Sequence, residues 1–390
     1  MRLTNATMFA RVLASDATCN GRFFFGVTST GIYCLPSCHA RKPKPENVRF
    51  FPTCEAARTA GLRACKKCHP DDFARGADPV LESIETLVAE IRARPADFPD
   101  VRAVVRRSGF GATRVFELLR QHFHSTPADL LVRARLDAAK QKLLSTAAGL
   151  TTVAGEVGFE SMSVFHEQFR QRHGLTPGAY RALTAAPTFT LTLPVGYPLG
   201  YLRRALSRDV HSATERLDGD AYATVVQFSG GPALLEVALS PTTVRATLSR
   251  GSLVEAHAIV VGLLGLEADA AAFARLARRL GLARLIAGRP ELRISQTPSV
   301  FDGLLWSIIG QQINFPFACL LRRRLVERAG TQLPNSGGLY VSPLPSDVAA
   351  LEPGDLLPLQ FSRQKADYVI ATSRLIAEGK LDLDALRTMS

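Results

Sequence analysis

The spacing of hydrophobic and polar positions changes character three times along the chain. Up to about Asp78 the apolar residues come in short clusters. Arg22-Phe-Phe-Phe-Gly-Val27 and Gly31-Ile-Tyr33 predict two short strands, and Glu55 to Ala60 predicts one helix opening after Thr53, a residue able to cap it. Prolines at 36, 43, 45, 52 and 70 leave room only for short elements. From Pro79 to about Ala185 the apolar spacing is helical, as at Leu118, Leu119, Phe123, Leu130 and Leu131. This stretch repeats itself once: Val101–Phe123 and Thr151–Phe169 each read as a short helix, a turn with a central glycine (Ser108-Gly-Phe110 and Val157-Gly-Phe159) and a second helix. Each copy runs on to a closing Thr-Pro, at Pro127 and Pro177. After a linker at Ala185-Ala-Pro187, alternation at Phe189, Leu191 and Leu193, then over Tyr222–Phe228, Ala233–Leu239 and Val244–Leu248, predicts an antiparallel sheet. From Ala256 onward the pattern is helical again, over Ala270–Leu280, Val300–Ile313, Phe317–Ala329 and Arg363–Ile376.

A length of 390 residues predicts two to four domains, at roughly 100–200 residues each. No apolar run approaches the roughly 18–20 residues of a membrane span, so no membrane partner is expected. Met1 to Arg11 is mixed and polar rather than a signal peptide, which makes a reducing cytoplasm the expected location. The formal charge of +12 is unevenly spread: residues 1–78 hold 12 Lys/Arg against 6 Asp/Glu, so half of the excess lies in the first fifth.

Six of the seven cysteines also lie before residue 70. Cys34-x-x-x-Cys38 and Cys65-x-x-Cys68 are two close pairs separated by a loop, a spacing that suits tetrahedral zinc on four thiolates. Cys19, Cys54 and Cys319 have no paired spacing and read as small thiols, buried or partly exposed. Taken alone, the four cysteines are best explained by a purely structural zinc, stapling a core too small to hold itself. The neighbourhood adds something else, because Arg41, Lys42, Lys44 and Arg49 follow the first pair and Arg63, Lys66 and Lys67 surround the second, a footprint for phosphate. His39 and His69 read as supporting or phosphate-facing rather than as ligands.

Gly31-Ile-Tyr-Cys-Leu-Pro-Ser-Cys-His-Ala-Arg41, Pro45-Glu-Asn-Val48 and Cys65-Lys-Lys-Cys68-His-Pro-Asp71 resemble the amino-terminal methyl-acceptor domain of the adaptive-response regulator Ada, over roughly residues 10–75. The resemblance implies that Cys34 takes a methyl group from a DNA methylphosphotriester in a single, irreversible turnover, with alkylated double-stranded DNA as substrate. Arg41, Lys42, Lys66 and Lys67 are then the expected phosphate contacts. Zinc-bound thiols are deprotonated, which supplies a nucleophile at neutral pH without a general base.

Ala154-Gly-Glu-Val-Gly-Phe-Glu-Ser-Met-Ser163, Phe165-His-Glu-Gln-Phe-Arg170 and Leu175-Thr-Pro-Gly-Ala-Tyr-Arg181 resemble the AraC-type DNA-binding domain, over roughly 82–183. Two such units let a monomer place two helices in successive major-groove segments, roughly 34 Å apart. The expected operator contacts are Arg114, Glu117 and Arg120 in the first unit and Ser161, Ser163, His166 and Arg170 in the second. An activator role adds RNA polymerase as a partner. A helical bundle with a solvated charged face is the alternative.

Phe301-Asp-Gly-Leu-Leu-Trp-Ser-Ile-Ile-Gly-Gln-Gln-Ile313 and Ser362-Arg-Gln-Lys-Ala-Asp-Tyr368 resemble the 3-methyladenine DNA glycosylase AlkA, over roughly 188–388. By position Gln311 and Gln312 inherit the turn inserted where a damaged base is flipped out, against the alternative of ordinary surface or capping residues. That family continues into a glycine-rich helix-hairpin-helix and an aspartate, whereas the sequence stops at Ser390. Asp355, Asp367, Asp382 and Asp384 have no hairpin context, so no base excision is expected of this chain; an active glycosylase with a regulatory front end, or a non-enzymatic zinc transcription factor, are the alternatives.

The expected fold is thus multidomain α+β. A small zinc-bound α/β module spans 1–78, an all-α double helix-turn-helix 79–185, an antiparallel sheet with helices 188–288, and an incomplete all-α glycosylase-type domain 289–390.

Overall fold

A computed structural model of the chain describes residues 3–289, 291–387 and 389. Ser390, where the expected truncation falls, lies outside the described residues. The chain separates into two compact units: one takes the chain up to Ile91 together with Asp100–Leu130, the other Arg92–Pro99 together with Leu131–Met389.

In the first unit, helix α1 (Asn5–Leu13) leads into strands β1 (Phe24–Val27), β2 (Ile32–Cys34), β3 (Val48–Phe51) and β4 (Arg63–Ala64), with α2 (Cys54–Thr59) between the last two and α3 (Pro70–Ala74) after them. The sheet order is β3-β1-β2-β4; β1 runs antiparallel to β2 and β3, and β2 parallel to β4. Alternate faces of β1 and β2 feed two small cores. Phe23, Phe25, Cys34, Cys38 and Cys65 lie in one, and Phe24, Tyr33, Leu35 and Cys54 in the other. A Cβ at Gly26 would approach the Leu62 side chain to 2.2 Å and the Phe51 ring to 2.8 Å, so both would have to shift. Thr53 caps α2 as predicted, its hydroxyl accepting from the Ala56 amide at 3.1 Å. The pattern did not reveal α1, β3 or β4. Helix α4 (Pro79–Ala93) then precedes the first repeat, α5 (Val101–Ser108) and α6 (Ala112–Phe123), which turns at Gly109 with φ of 70°.

Helix α7 (Pro127–Ser145) continues into the second unit, where the second repeat is α8 (Leu150–Glu156) and α9 (Met162–His173), closed by α10 (Pro177–Ala182). The sheet that follows is formed by β5 (Thr188–Thr192), β6 (Glu215–Asp218), β7 (Ala221–Phe228), β8 (Gly231–Leu239) and β9 (Thr243–Leu248), with α11 (Leu199–Leu206) inserted after β5. It is antiparallel throughout, in the order β5-β9-β8-β7-β6. Helix α12 (Leu253–Leu264) lies against it. One continuous core joins Leu136 of α7 and Val153, Phe165 and Phe169 of the second repeat to Leu191, Leu235, Val244 and Val260 of the sheet and α12. Ala185-Ala-Pro187 therefore connects two parts of a single core.

Helices α13 (Ala270–Arg279), α14 (Val300–Gly310) and α15 (Phe315–Ala329) follow, then the strand pair β10 (Thr331–Gln332) and β11 (Tyr340–Val341), and α16 (Pro345–Ala349), α17 (Pro353–Leu356) and α18 (Arg363–Ala377). A separate core of Phe301, Leu305, Ile309, Leu321, Leu325, Phe361 and Val369 holds α14, α15 and α18 together. Among the described residues no helix is long and apolar enough to cross a membrane.

Candidate metal centre and DNA-facing surfaces

Cys34 ends β2, and the Leu35-Pro36-Ser37 turn, closed by the Cys38 amide donating to Leu35 O at 3.0 Å, brings Cys38 back beside it. The Ser37 amide donates to Asn20 Oδ1 at 3.2 Å, fixing that turn to the loop after α1. Cys65 follows β4, and its amide donates to Tyr33 O at 3.0 Å, so the parallel β2–β4 pairing places the second cysteine pair against the first. The four sulfurs lie within 4.8 Å of one another.

Zinc at a Zn–S distance of about 2.3 Å requires sulfurs about 3.8 Å apart, which this cluster accommodates. The donor chemistry also demands a cation. Cys38 is held far below the usual thiol range, to about 2, because the Cys34 and Cys68 thiols donate to it. Cys34 is pushed far up by the neighbouring Cys38 and Cys68 sulfurs and by burial; Cys68, pulled down by Cys34, is pushed up by Cys38 and by burial. Four thiols packed this closely cannot all lose their protons unaided, whereas a soft divalent cation lets all four ionise. Amide donors already face the sulfurs: Leu35 N to Cys68 and Lys67 N to Cys65, both at 3.4 Å. Cys34 and Cys38 are 4% and 3% exposed and Cys65 8%, while Cys68 is half-buried.

The basic residues around the cluster divide into two kinds. Lys42 Nζ donates to Cys38 O at 2.9 Å and to Ser15 Oγ at 2.6 Å, and Lys67 Nζ donates to His39 O at 3.2 Å, so both are tied to the loop they flank. Arg41 and Lys66 are exposed. His39 is exposed; His69 takes a left-handed backbone with φ of 44° and lies 3.4 Å from Asp72. Behind the cluster the Tyr33 hydroxyl donates to Asp71 Oδ1, and Arg58 pairs with Asp71 Oδ2 at 3.4 Å. Cys19, Cys54 and Cys319, whose burial the sequence left open, are all buried.

In the first repeat Arg114, Glu117 and Arg120 are exposed along α6, with Arg114 and Glu117 paired at 3.4 Å. In the second, Ser161 caps α9, its Oγ accepting from the Val164 amide at 3.4 Å; Ser163 is exposed, His166 half-buried, and exposed Arg170 is paired with Glu167 at 2.9 Å. Val164, 51% exposed between them, escaped the sequence reading. The available signal was that Phe165 and Phe169 already supply the buried face of α9, which turns Val164 outward. Gln311 ends α14 and Gln312 has φ of 58°, so the pair forms the tight turn into α15 with both residues exposed. Lys365 Nζ, from α18, closes the helix end by donating to Gln311 O at 2.7 Å and Ile308 O at 3.3 Å.

Zinc-module, helix-turn-helix and glycosylase-type features thus coexist in one chain, the composition of a DNA-repair regulator. Three family models match it: the metal binding domain of Ada over residues 7–71, a helix-turn-helix domain over 104–183, and the HhH-GPD superfamily of base excision DNA repair proteins over 305–387. The chain is a fusion of an Ada-like regulator with an AlkA-like glycosylase region, and zinc is its cofactor. The probable bifunctional transcriptional activator/DNA repair enzyme AlkA of Mycobacterium tuberculosis is 28% identical over 97% of this chain and 79% of its own length. The bifunctional transcriptional activator/DNA repair enzyme AdaA of Bacillus subtilis is 29% identical over 44% of this chain and 81% of its own. The putative DNA-3-methyladenine glycosylase YfjP of Bacillus subtilis is 44% identical over 24% of this chain and 31% of its own.

Proposed function

We propose that this protein repairs DNA methylphosphotriesters by transferring the methyl group to Cys34, and that the methylated form activates transcription. The observation that carries the reading is the four-thiol cluster, with Arg41 and Lys66 exposed beside it. Cys34, Cys38, Cys65 and Cys68 hold the zinc, which when bound keeps the sulfurs ionised at neutral pH. The Cys34 sulfur attacks the phosphotriester methyl carbon in line; the S–C bond forms as the C–O bond breaks, and the phosphodiester leaves with the electron pair. Arg41 and Lys66 meet the flanking phosphates.

A divalent zinc with four thiolates bears two net negative charges, and methylation of one sulfur removes one of them. Repulsion of the DNA falls accordingly, so affinity for the operator rises. Arg114, Glu117 and Arg120 on α6, with Ser161, Ser163, His166 and Arg170 on α9, read that operator, and the protein acts as a monomer that engages RNA polymerase.

Incubation with DNA carrying methylphosphotriesters, followed by peptide mass mapping, tests the assignment. One methyl on the Cys34 peptide, lost in Cys34→Ser, is expected. Because Cys68 is the more exposed sulfur, a methyl found there instead moves the acceptor, and no methyl on any cysteine ends the reading. The match over 305–387 favours base excision as a second reading, which release of free 3-methyladenine from methylated DNA by this chain would establish.

A further inference from the structure

The two cysteine pairs are held together through the backbone pairing of β2 with β4. Gly31 O and Tyr33 O accept from the Arg63 and Cys65 amides along β2–β4, ahead of the second pair. Beyond Cys68 the chain bends at His69, in the left-handed region that non-glycine residues seldom occupy, and enters α3. What fastens this outgoing chain lies at Asp71. Its carboxylate accepts from the hydroxyl of Tyr33, a fully buried side chain adjacent to Cys34, and pairs with Arg58 of α2 at 3.4 Å. Cys54 adds a bond from its thiol to Pro70 O at 3.3 Å.

We propose that Tyr33, Asp71 and Arg58 form a positioning network that sets where the Cys68 sulfur stands relative to Cys34, and so tunes both metal retention and the readiness of the acceptor sulfur. Tyr33 and Cys34 are consecutive residues of one strand, so a tether on the Tyr33 ring is a tether on the acceptor's backbone. Asp71 follows Cys68 by three residues across the strained His69 bend. Losing the bridge frees the bend to relax, and Cys68, the least buried of the four thiols, is the sulfur that moves. The effect on transfer rests on the methyl-acceptor reading; the effect on the metal does not.

Tyr33→Phe removes one hydroxyl and keeps the buried ring. In the full chain loaded with cobalt(II) in place of zinc, a changed ligand-field band is expected, together with loss of metal to a chelator about 10-fold faster or more, on the order of one hydrogen bond to a charged group. Methyl transfer is expected to slow by a similar factor. Asp71→Asn, which keeps an acceptor for Tyr33 and loses the charge facing Arg58, is expected to fall between Tyr33→Phe and the unaltered protein, which a merely space-filling role does not predict. An unchanged cobalt spectrum and unchanged metal release in both variants would overturn the network. Should Tyr33→Phe lose its fold, the Asp71→Asn spectrum decides alone. Failure of the unaltered protein to take up methyl, with the spectral changes present, removes the methyl-acceptor reading and leaves the network standing.

Discussion

Four thiols within 4.8 Å of one another cannot all ionise without a cation among them, so the metal and the fold of the first module are linked. Chelation at neutral pH is expected to abolish amide protection over the strands β1–β4 while leaving the core around Leu191 and Leu235 intact, a contrast that hydrogen exchange resolves. A second residue-scale device lies in the other unit. His257 Nε2 is 2.7 Å from His173 O, and the Nε2 of His173 is buried without a hydrogen-bond partner; Phe169 and Tyr180 pack on His173, and Tyr180 and Phe189 on His257. Burial holds His173 down to about 2 and His257 down to about 4, with Lys140 nearby opposing protonation of both and Arg172 that of His173. The unfolded chain therefore binds protons that the folded chain refuses. The contribution is complete above about pH 6.5 and lost as pH falls below it, by up to about 1.4 kcal/mol per pH unit for each ring. Urea midpoints measured between pH 7.5 and pH 5 should fall accordingly, and His257→Gln should flatten the slope. The paired cysteines were legible because metal geometry leaves a spacing in the sequence; the histidines, 84 residues apart, leave none.

At the scale of elements, the helix-turn-helix repeat was legible from its glycine turns, because Gly109 must adopt a positive φ; the structure adds Asp100 and Ser161 as caps of the helices beside such turns. The short strands were not. β4 has two residues, and its place is set by the partner β2 and by the cysteines that follow, rather than by any period of its own. The Gln311-Gln312 turn was located, yet its support by Lys365 was hidden, since that lysine arrives from a helix 54 residues later. Helix α9 carries two tests. Ser161→Ala removes the cap and should cost about 1 kcal/mol in thermal or denaturant unfolding. Gly174 ends α9 with φ of 68°, and a Cβ there would stand 3.3 Å from Leu191 and Leu266; Gly174→Ala should cost about 1–3 kcal/mol, through backbone strain and crowding together.

Across the whole molecule, composition placed the basic excess in the first module, and the structure divides those charges into loop ties and exposed groups. Arg41→Ala is expected to lower the salt slope of DNA binding by about one ion, whereas Lys42→Ala acts through the Cys38 loop and should disturb metal retention as well. Fluorescence titration across a salt series, with a chelator chase, distinguishes them. The continuous core from Leu136 to Leu266 had no sequence signature, because helical and alternating patterns each look self-sufficient when read in turn. It also changes what counts as a part. The change of pattern near Ala185 suggests a place where the protein could be cut and its pieces exchanged with those of other proteins. A cut there leaves two half-cores, each baring leucines and phenylalanines that the other had covered. The heritable unit is accordingly larger than the motif: helix α9 and the sheet have to be inherited, trimmed or transplanted together.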